Sequence, residues 1–236
     1  LRRLWAHLGP LRDRAAIREF TSNLPPLEIA EALLAERPRI VGLGVYIWNV
    51  DLVTRVARSL KAVRPEVVLV VGGPEVSYEY EGTPIFEAAD YLVRGEGEVA
   101  FRALAEAILE GRAPDRKVVE SEPPDIESLA SPYDAYTEDD LAHRVTYVEA
   151  SRGCPFRCEF CLSSLDKRVR DFPLEPFLVD MARLLDRGAR NLKFVDRTFN
   201  LRPDRVERIV RFLLERVDRG FQVHFEIVPD RVSSEL

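Results

Sequence analysis

Two almost unbroken apolar runs, at residues 40–47 and 67–71, limit what the first half of this chain can fold into more than any other feature of it. A strand that is apolar at every position has both faces covered, which is the condition inside a parallel sheet packed between helices. The intervening sequence supplies those helices. Residues 27–37 read as a helix stopped before Pro38. Asp51 is placed to cap a second one, with Leu52, Val56, Leu60 and Val63 along one face and Pro65 beyond its end. Residues 91–93 read as a third strand, 99–109 as the next helix, closed by Gly111, and 117–119 as a last strand. Residues 16–20 form a short strand candidate upstream.

This alternation predicts an α/β chain whose N-terminal part is a doubly wound, Rossmann-like parallel sheet. Ligands of such sheets sit beyond the carboxyl ends of the strands. Three loops rich in unusual residues fall there: one with Tyr46, Trp48 and Asn49, one with Gly72, Gly73, Pro74, Glu75 and Val76, and one with Gly95, Glu96 and Gly97. Taken singly, each glycine pair is also what a tight turn needs, and Trp48 is equally suited to packing. Residues 121–144 are acidic, Pro-containing and weakly periodic, which fits a linker that wraps a neighbouring domain. Strand–helix alternation then resumes, with strands at 145–150, 191–195 and 222–228. The helix at 176–187 carries Leu178, Met181, Ala182 and Leu185 on one face and ends at Gly188, and that at 203–219 turns Val206, Ile209, Val210, Leu213 and Val217 inward. The expected organisation is a first domain at 1–120, a linker at 121–144, and the first βα steps of a barrel-like domain at 145–236.

Composition excludes several classes. The 236 residues are 46% apolar and 31% charged, a globular balance, and the net charge of −6 argues against a broad nucleic-acid footprint. No apolar run approaches the roughly 18 residues of a membrane span, and no leader pattern is present, so a cytoplasmic protein is expected. The chain opens without a Met and stops soon after a strand, and is read as a segment of a longer protein that lacks turnover by itself.

The three cysteines are the sharpest chemical signal. They fall together in Ser151-Arg152-Gly153-Cys154-Pro155-Phe156-Arg157-Cys158-Glu159-Phe160-Cys161. Clustered thiols in a long chain point to a metal or cluster in a reducing compartment rather than to disulfides. Thiolates are the protein ligands of iron–sulfur clusters, and this spacing lets one loop hold three irons of a 4Fe–4S cluster while the fourth stays open for chemistry. The alternative is a structural Cys3His zinc site completed by His143, His224 or a distant ligand, although zinc knuckles usually come as two separated Cys-x2-Cys pairs.

Cys-x3-Cys-x-Phe-Cys placed directly after the first strand of a barrel resembles the signature of the radical SAM superfamily. The resemblance implies that the open iron chelates S-adenosylmethionine (SAM), and that one electron from the reduced cluster cleaves it to methionine and a 5′-deoxyadenosyl radical. It implies that Cys154, Cys158 and Cys161 are the cluster ligands and that Phe160 lies near the adenine. The family often carries Gly-Gly-Glu at the end of its second barrel strand, whereas this chain has Phe194-Val195-Asp196-Arg197-Thr198-Phe199-Asn200. Asp196 is therefore the candidate for the SAM ammonium, with a turn or capping role as its alternative, and Glu226 and Asp230 are candidates for the ribose hydroxyls, with a solvated or capping role as theirs.

A doubly wound domain ahead of such a barrel resembles the B12-binding class of radical SAM proteins. The resemblance implies cobalamin held by Tyr46, Trp48, Asn49, Gly72, Gly73, Pro74, Glu75, Val76, Gly95, Glu96 and Gly97. There is a departure: some members carry Asp-x-His-x-x-Gly, and His7, His143 and His224 do not stand in that setting, so the lower cobalt ligand is not a histidine of this segment. The implied activity is methylation of an unactivated carbon of a small-molecule or peptide substrate, with flavodoxin or ferredoxin as electron donor and neither membrane nor nucleic acid as partner. A rearrangement or cyclisation, with or without bound cobalamin, is the variant reading.

Overall fold

The computed structural model describes residues 1–165 and 168–229. The chain divides into two compact units, Leu1–Asp125 and Ile126–Leu236. The elements in chain order are helix α1 Arg2–Ala6, α2 Pro26–Ala35, strand β1 Ile40–Gly44, α3 Val50–Val63, β2 Val68–Gly72, α4 Pro84–Ala88, β3 Tyr91–Arg94, α5 Glu98–Leu109 and β4 Val118–Glu120. They continue with α6 Glu138–His143, β5 Thr146–Val148, β6 Ser151–Arg152, β7 Arg170–Asp171, α7 Leu174–Asp186, β8 Asn191–Phe194, α8 Pro203–Leu214 and β9 Gln222–His224.

In the first unit β1 to β4 form one parallel sheet in sequential order. The two-residue period of the strands sorts its side chains. Val41, Leu69, Val71 and Leu92 point to one face, where Ile29 and Ala30 of α2, Val56, Ala57 and Leu60 of α3, and Ile85 of α4 cover them. Val70 and Val93 point to the other, against Leu104 and Ile108 of α5. Helices thus lie on both faces, and that is why the strands read as continuous apolar runs.

Several boundaries differ from the sequence expectation. Residues 16–20 take no regular secondary structure and join no sheet among the described residues. Helix α3 begins at Val50 behind Asn49, so Asp51 lies inside its first turn rather than at its cap. Its buried face is Thr54, Val56, Ala57 and Leu60, while Val63, at the frayed last position, is 60% exposed.

The second unit has a parallel sheet in the order β5–β8–β9. Helices α7 and α8 cover one face through Phe177, Met181, Leu184, Val206, Ile209 and Leu213, packed on Val148, Leu192 and Phe194. Helix α8 ends at Leu214, with a separate single turn at Val217–Arg219, so Val217 is exposed rather than inward. Strand β9 is shorter than the expected 222–228.

The stretch expected as a linker contributes to this unit's core. Tyr133, Tyr136 and Leu141 are buried there, and α6 opens on a reciprocal capping box between Thr137 and Asp140. Both tyrosines finish the outer edge of β5. The Tyr136 hydroxyl accepts from the Tyr147 N–H at 3.0 Å and donates to the Tyr147 carbonyl at 3.1 Å. The Tyr133 hydroxyl accepts from the Glu149 N–H at 3.0 Å. Side chains here take the part a neighbouring strand would play. Among the described residues no helix is long and apolar enough to cross a membrane.

Candidate functional site

In the first unit the loops after β1, β2 and β3 are bound to one another. The Val45 N–H donates to the Gly72 carbonyl at 2.8 Å, and the Glu75 N–H reaches the Val45 carbonyl at 3.4 Å. Gly73 makes this closeness possible. Its φ of +121° and ψ of 173° belong to glycine, and a Cβ there would stand 2.5 Å from the Val45 carbonyl oxygen. Ser77 links the next pair of loops: its hydroxyl donates to the Gly73 carbonyl at 2.9 Å and accepts from the Gly95 N–H at 3.4 Å. Ser121, just beyond β4, donates through its hydroxyl to the Glu96 carbonyl.

Asn49 closes its own loop. Its Oδ1 accepts from the Tyr46 N–H at 2.8 Å, and its Nδ2 donates to the Gly44 carbonyl at 3.0 Å. The loop so held carries Tyr46 stacked on Trp48, ring centroids 4.6 Å apart, with Trp48 73% exposed and Ile47 75% exposed. Gly72, Gly73, Pro74, Glu75, Gly95 and Glu96 lie along the rim of these loops, partly or fully exposed. Val76 is instead buried in the core beneath, and Gly97 packs under the Leu4 side chain of α1. The backbone of this surface is fixed by glycines and short polar side chains, and the stacked pair, exposed at Trp48 and half-buried at Tyr46, stands at its margin.

In the second unit the cysteine loop leaves the carboxyl end of β5 through β6, which pairs antiparallel with β7 in the register Ser151 with Asp171 and Arg152 with Arg170. Gly153, with φ of +87°, lies under the backbone of Arg168, and a Cβ there would be 2.0 Å from the Arg168 carbonyl oxygen. The base of the loop is thus pinned between two chain segments. Cys154 is buried, with Sγ 3.4 Å from Thr198 Oγ1. Cys158 is exposed and Cys161 half-buried, joined by a turn in which the Cys161 N–H donates to the Cys158 carbonyl at 3.1 Å. Phe160 is 94% exposed at the tip. The three thiols are free of disulfides.

No three His, Cys, Asp or Glu side chains among the described residues meet on one ion-sized point. His143, a candidate for the zinc alternative, instead has Nδ1 3.0 Å from Asp139 Oδ1. Three thiols on one short loop, one seated and two open, are a donor set that suits a cluster spreading its ligands over separate irons.

Asp196 is 1% exposed, and both its oxygens are engaged. One accepts from the Ala150 N–H at 3.0 Å and the other from the Ser151 hydroxyl at 2.6 Å. Burial pushes its carboxyl up to about 6, against the opposing effect of those two donors. Asn200, also buried, pairs with both backbone groups of Val228 at 2.8 and 2.9 Å, and the Phe199 N–H donates to the Glu226 carbonyl at 2.8 Å. The loop after β8 therefore ties the ends of β5 and β9 to itself. The Glu226 carboxylate lies 3.7 Å from Arg197. Asp230 lies outside the described residues.

Residues 14–105 match the B12 binding domain family. The chain is 31% identical over 220 residues to an uncharacterized methyltransferase, PH0819, of Pyrococcus horikoshii, covering 82% of this chain and 47% of that protein. It is 27% identical over 213 residues to the cobalamin-dependent radical SAM methyltransferase TokK of Streptomyces tokunonensis, covering 78% of this chain and 30% of that one. The structure of the radical SAM methyltransferase TsrM from Kitasatospora setae, with tryptophan and a SAM analogue bound, matches with a TM-score of 0.65 at 19% identity, covering 92% of this chain and 48% of that chain. The chain is thus similar to B12-binding radical SAM proteins, the match to the B12 binding domain family lying at residues 14–105. It spans less than half the length of each of these three.

Several residues that shape the site carry no sequence signal of their own. Ser77, Ser121, Thr198 and Asn200 act through hydrogen bonds to segments distant in sequence. Gly153 had a signal, as the glycine directly before Cys154, but its need for a bare Cα shows only once Arg168 is laid over it.

Proposed function

We propose that this chain holds the cofactors of a cobalamin-dependent radical SAM methyltransferase that acts on an unactivated carbon of a small-molecule or peptide substrate. The carrying observation is the cysteine loop: pinned at Gly153, seated at Cys154 and open at Cys158 and Cys161, at the carboxyl end of a parallel strand. When bound, a reduced 4Fe–4S cluster supplies the electron that cleaves SAM and cobalamin carries the methyl group.

The chain's own residues hold and orient. Cys154, Cys158 and Cys161 are the thiolates for three irons, and exposed Phe160 is available to an adenine ring. Glu226 remains a candidate for ribose hydroxyls. Asp196, with both oxygens engaged by Ala150 and Ser151, supports the strand end in the free chain, so a role toward the SAM ammonium requires it to accept a further donor. In the first unit Tyr46 and Trp48 present aromatic surface to a corrin, Asn49 fixes their loop, and the rims at Gly72–Glu75 and Gly95–Glu96 let a bulky ligand approach the backbone. Flavodoxin or ferredoxin is the proposed electron donor.

Anaerobic reconstitution with iron and sulfide tests the first half of this reading. The expected result is near four irons per chain with cluster absorbance, both abolished in Cys158→Ala. Stoichiometric zinc without iron would sink it. Cobalamin titration followed by its visible spectrum tests the second half. Product analysis with a labelled methyl donor decides between methyl transfer and rearrangement, since a product without label excludes the former.

A further inference from the structure

The loop after β8 comes to the cysteine loop by two routes. One is indirect: Asp196 fixes Ala150 and Ser151, the backbone from which the loop departs. The other is a direct contact between Thr198 Oγ1 and Cys154 Sγ at 3.4 Å, within hydrogen-bonding distance for sulfur. Thr198 is 5% exposed and Cys154 9% exposed, so the contact lies largely out of reach of bulk water. Cys158 and Cys161 sit on the open part of the loop. The three thiols are therefore not equivalent: one is buried beside a fixed neutral donor, one is half-buried and one is exposed.

We infer that Thr198 is a positioning residue for the iron–sulfur cluster, donating a hydrogen bond to the Cys154 thiolate and so setting the cluster's reduction potential. This rests on the cluster reading above. As a thiol, Cys154 can stand on either side of the contact. As an iron-bound thiolate it can only accept, which fixes the Thr198 hydroxyl as donor. Reduction adds negative charge to the cluster and its sulfurs. A donor to one sulfur stabilises the reduced form more than the oxidised form and raises the potential, most effectively where solvent is excluded. The remaining side chains of the loop hold Thr198 in register. Asn200 anchors it to Val228, and Phe199 packs on Phe194 and Phe225 with ring centroids 5.0 and 4.1 Å away. A β-branched residue at 198 adds χ1 stiffness, so the hydroxyl direction is set by the backbone.

The test is the midpoint potential of the reconstituted cluster, measured by anaerobic redox titration with electron paramagnetic resonance detection, in the full chain and in T198V, T198A and T198S. T198V preserves shape and removes the donor, so its potential is expected to fall below that of wild type. T198A is expected to fall as well, and T198S to return toward wild type. A potential unchanged in both T198V and T198A would overturn the assignment while leaving the cluster itself intact. Absence of any cluster in wild type would instead defeat the cluster reading. If T198V and T198A assemble no cluster, T198S decides: assembly there shows that the hydroxyl is required, and failure there shows that the residue serves only packing and overturns the inference.

Discussion

The carboxyl ends of the two sheets are built in contrasting ways. In the first unit backbone meets backbone: Val45 lies against Gly72 and Gly73, with Ser77, Ser121 and Asn49 bridging carbonyls and N–H groups across short gaps. In the second unit, buried side chains from one loop reach outward to the other strand ends: Asp196 to Ala150 and Ser151, Thr198 to Cys154, Asn200 to Val228. The first construction gives a broad rim whose shape is set before any ligand arrives. The second gives a loop fixed at its root and free at its tip, which suits a ligand that supplies the missing bonds itself.

The glycines are where this contrast breaks most readily. Gly153→Ala is expected to have the largest effect, because a Cβ 2.0 Å from the Arg168 carbonyl forces β6 and β7 apart, and cluster assembly is lost with them. Gly73→Ala is next: the backbone conformation alone costs about 1–3 kcal/mol, and the clash with Val45 adds to it. Thermal unfolding of each variant measures the cost. If the two constructions differ as described, Gly73→Ala weakens cobalamin binding and spares the cluster, and Gly153→Ala does the reverse.

Asp196 gives the second unit a pH dependence that the first unit's backbone network lacks. Its native carboxyl titrates near 6, above the ordinary value of 3.8, so it binds its proton more tightly folded than unfolded. The resulting stabilisation is fully present below about 3.8 and is lost as pH rises through 6. The total is about 3 kcal/mol for a shift of this size. The stability difference between wild type and Asp196→Asn is therefore expected to shift in favour of wild type as pH falls from 7 to 4, and a flat difference would refute this. Tyr136→Phe leaves both backbone groups of Tyr147 without their partner, a loss of about 1–3 kcal/mol that urea unfolding would measure. Trp48→Ala sharpens the comparison from the other side. An exposed residue of this kind changes stability by no more than about 0.5 kcal/mol, while cobalamin affinity is expected to fall. Unchanged affinity would remove the aromatic pair from the platform.

The central strands of the first sheet are legible because burial on both faces leaves no polar position, as at Val68–Gly72, whereas those of the second alternate, as at Asn191–Phe194. The cysteine loop was legible because its chemistry is local to a few residues. Helix faces follow the apolar period in their middles and depart from it at their ends: Val63 and Val217 keep the period yet are exposed, at the last helical position and beyond the helix end. Residues 126–144 lacked periodicity because their buried side chains are spaced to reach a strand edge rather than to line a helix. Asp196 was singled out from sequence, but where a carboxylate's two oxygens go depends on residues some 45 positions away.

Those tyrosine hydroxyls give the sheet of the second unit a direction of growth. An open strand edge is an invitation to any passing peptide, including another copy of the same protein. At β5 the invitation is withdrawn, since Tyr133 and Tyr136 already occupy the ladder positions of Glu149 and Tyr147. A newcomer would have to displace a phenol from each site before forming its first bond. Any further strand can join this sheet without that competition only beside β9, so the two hydroxyls act as a stop that makes assembly proceed one way.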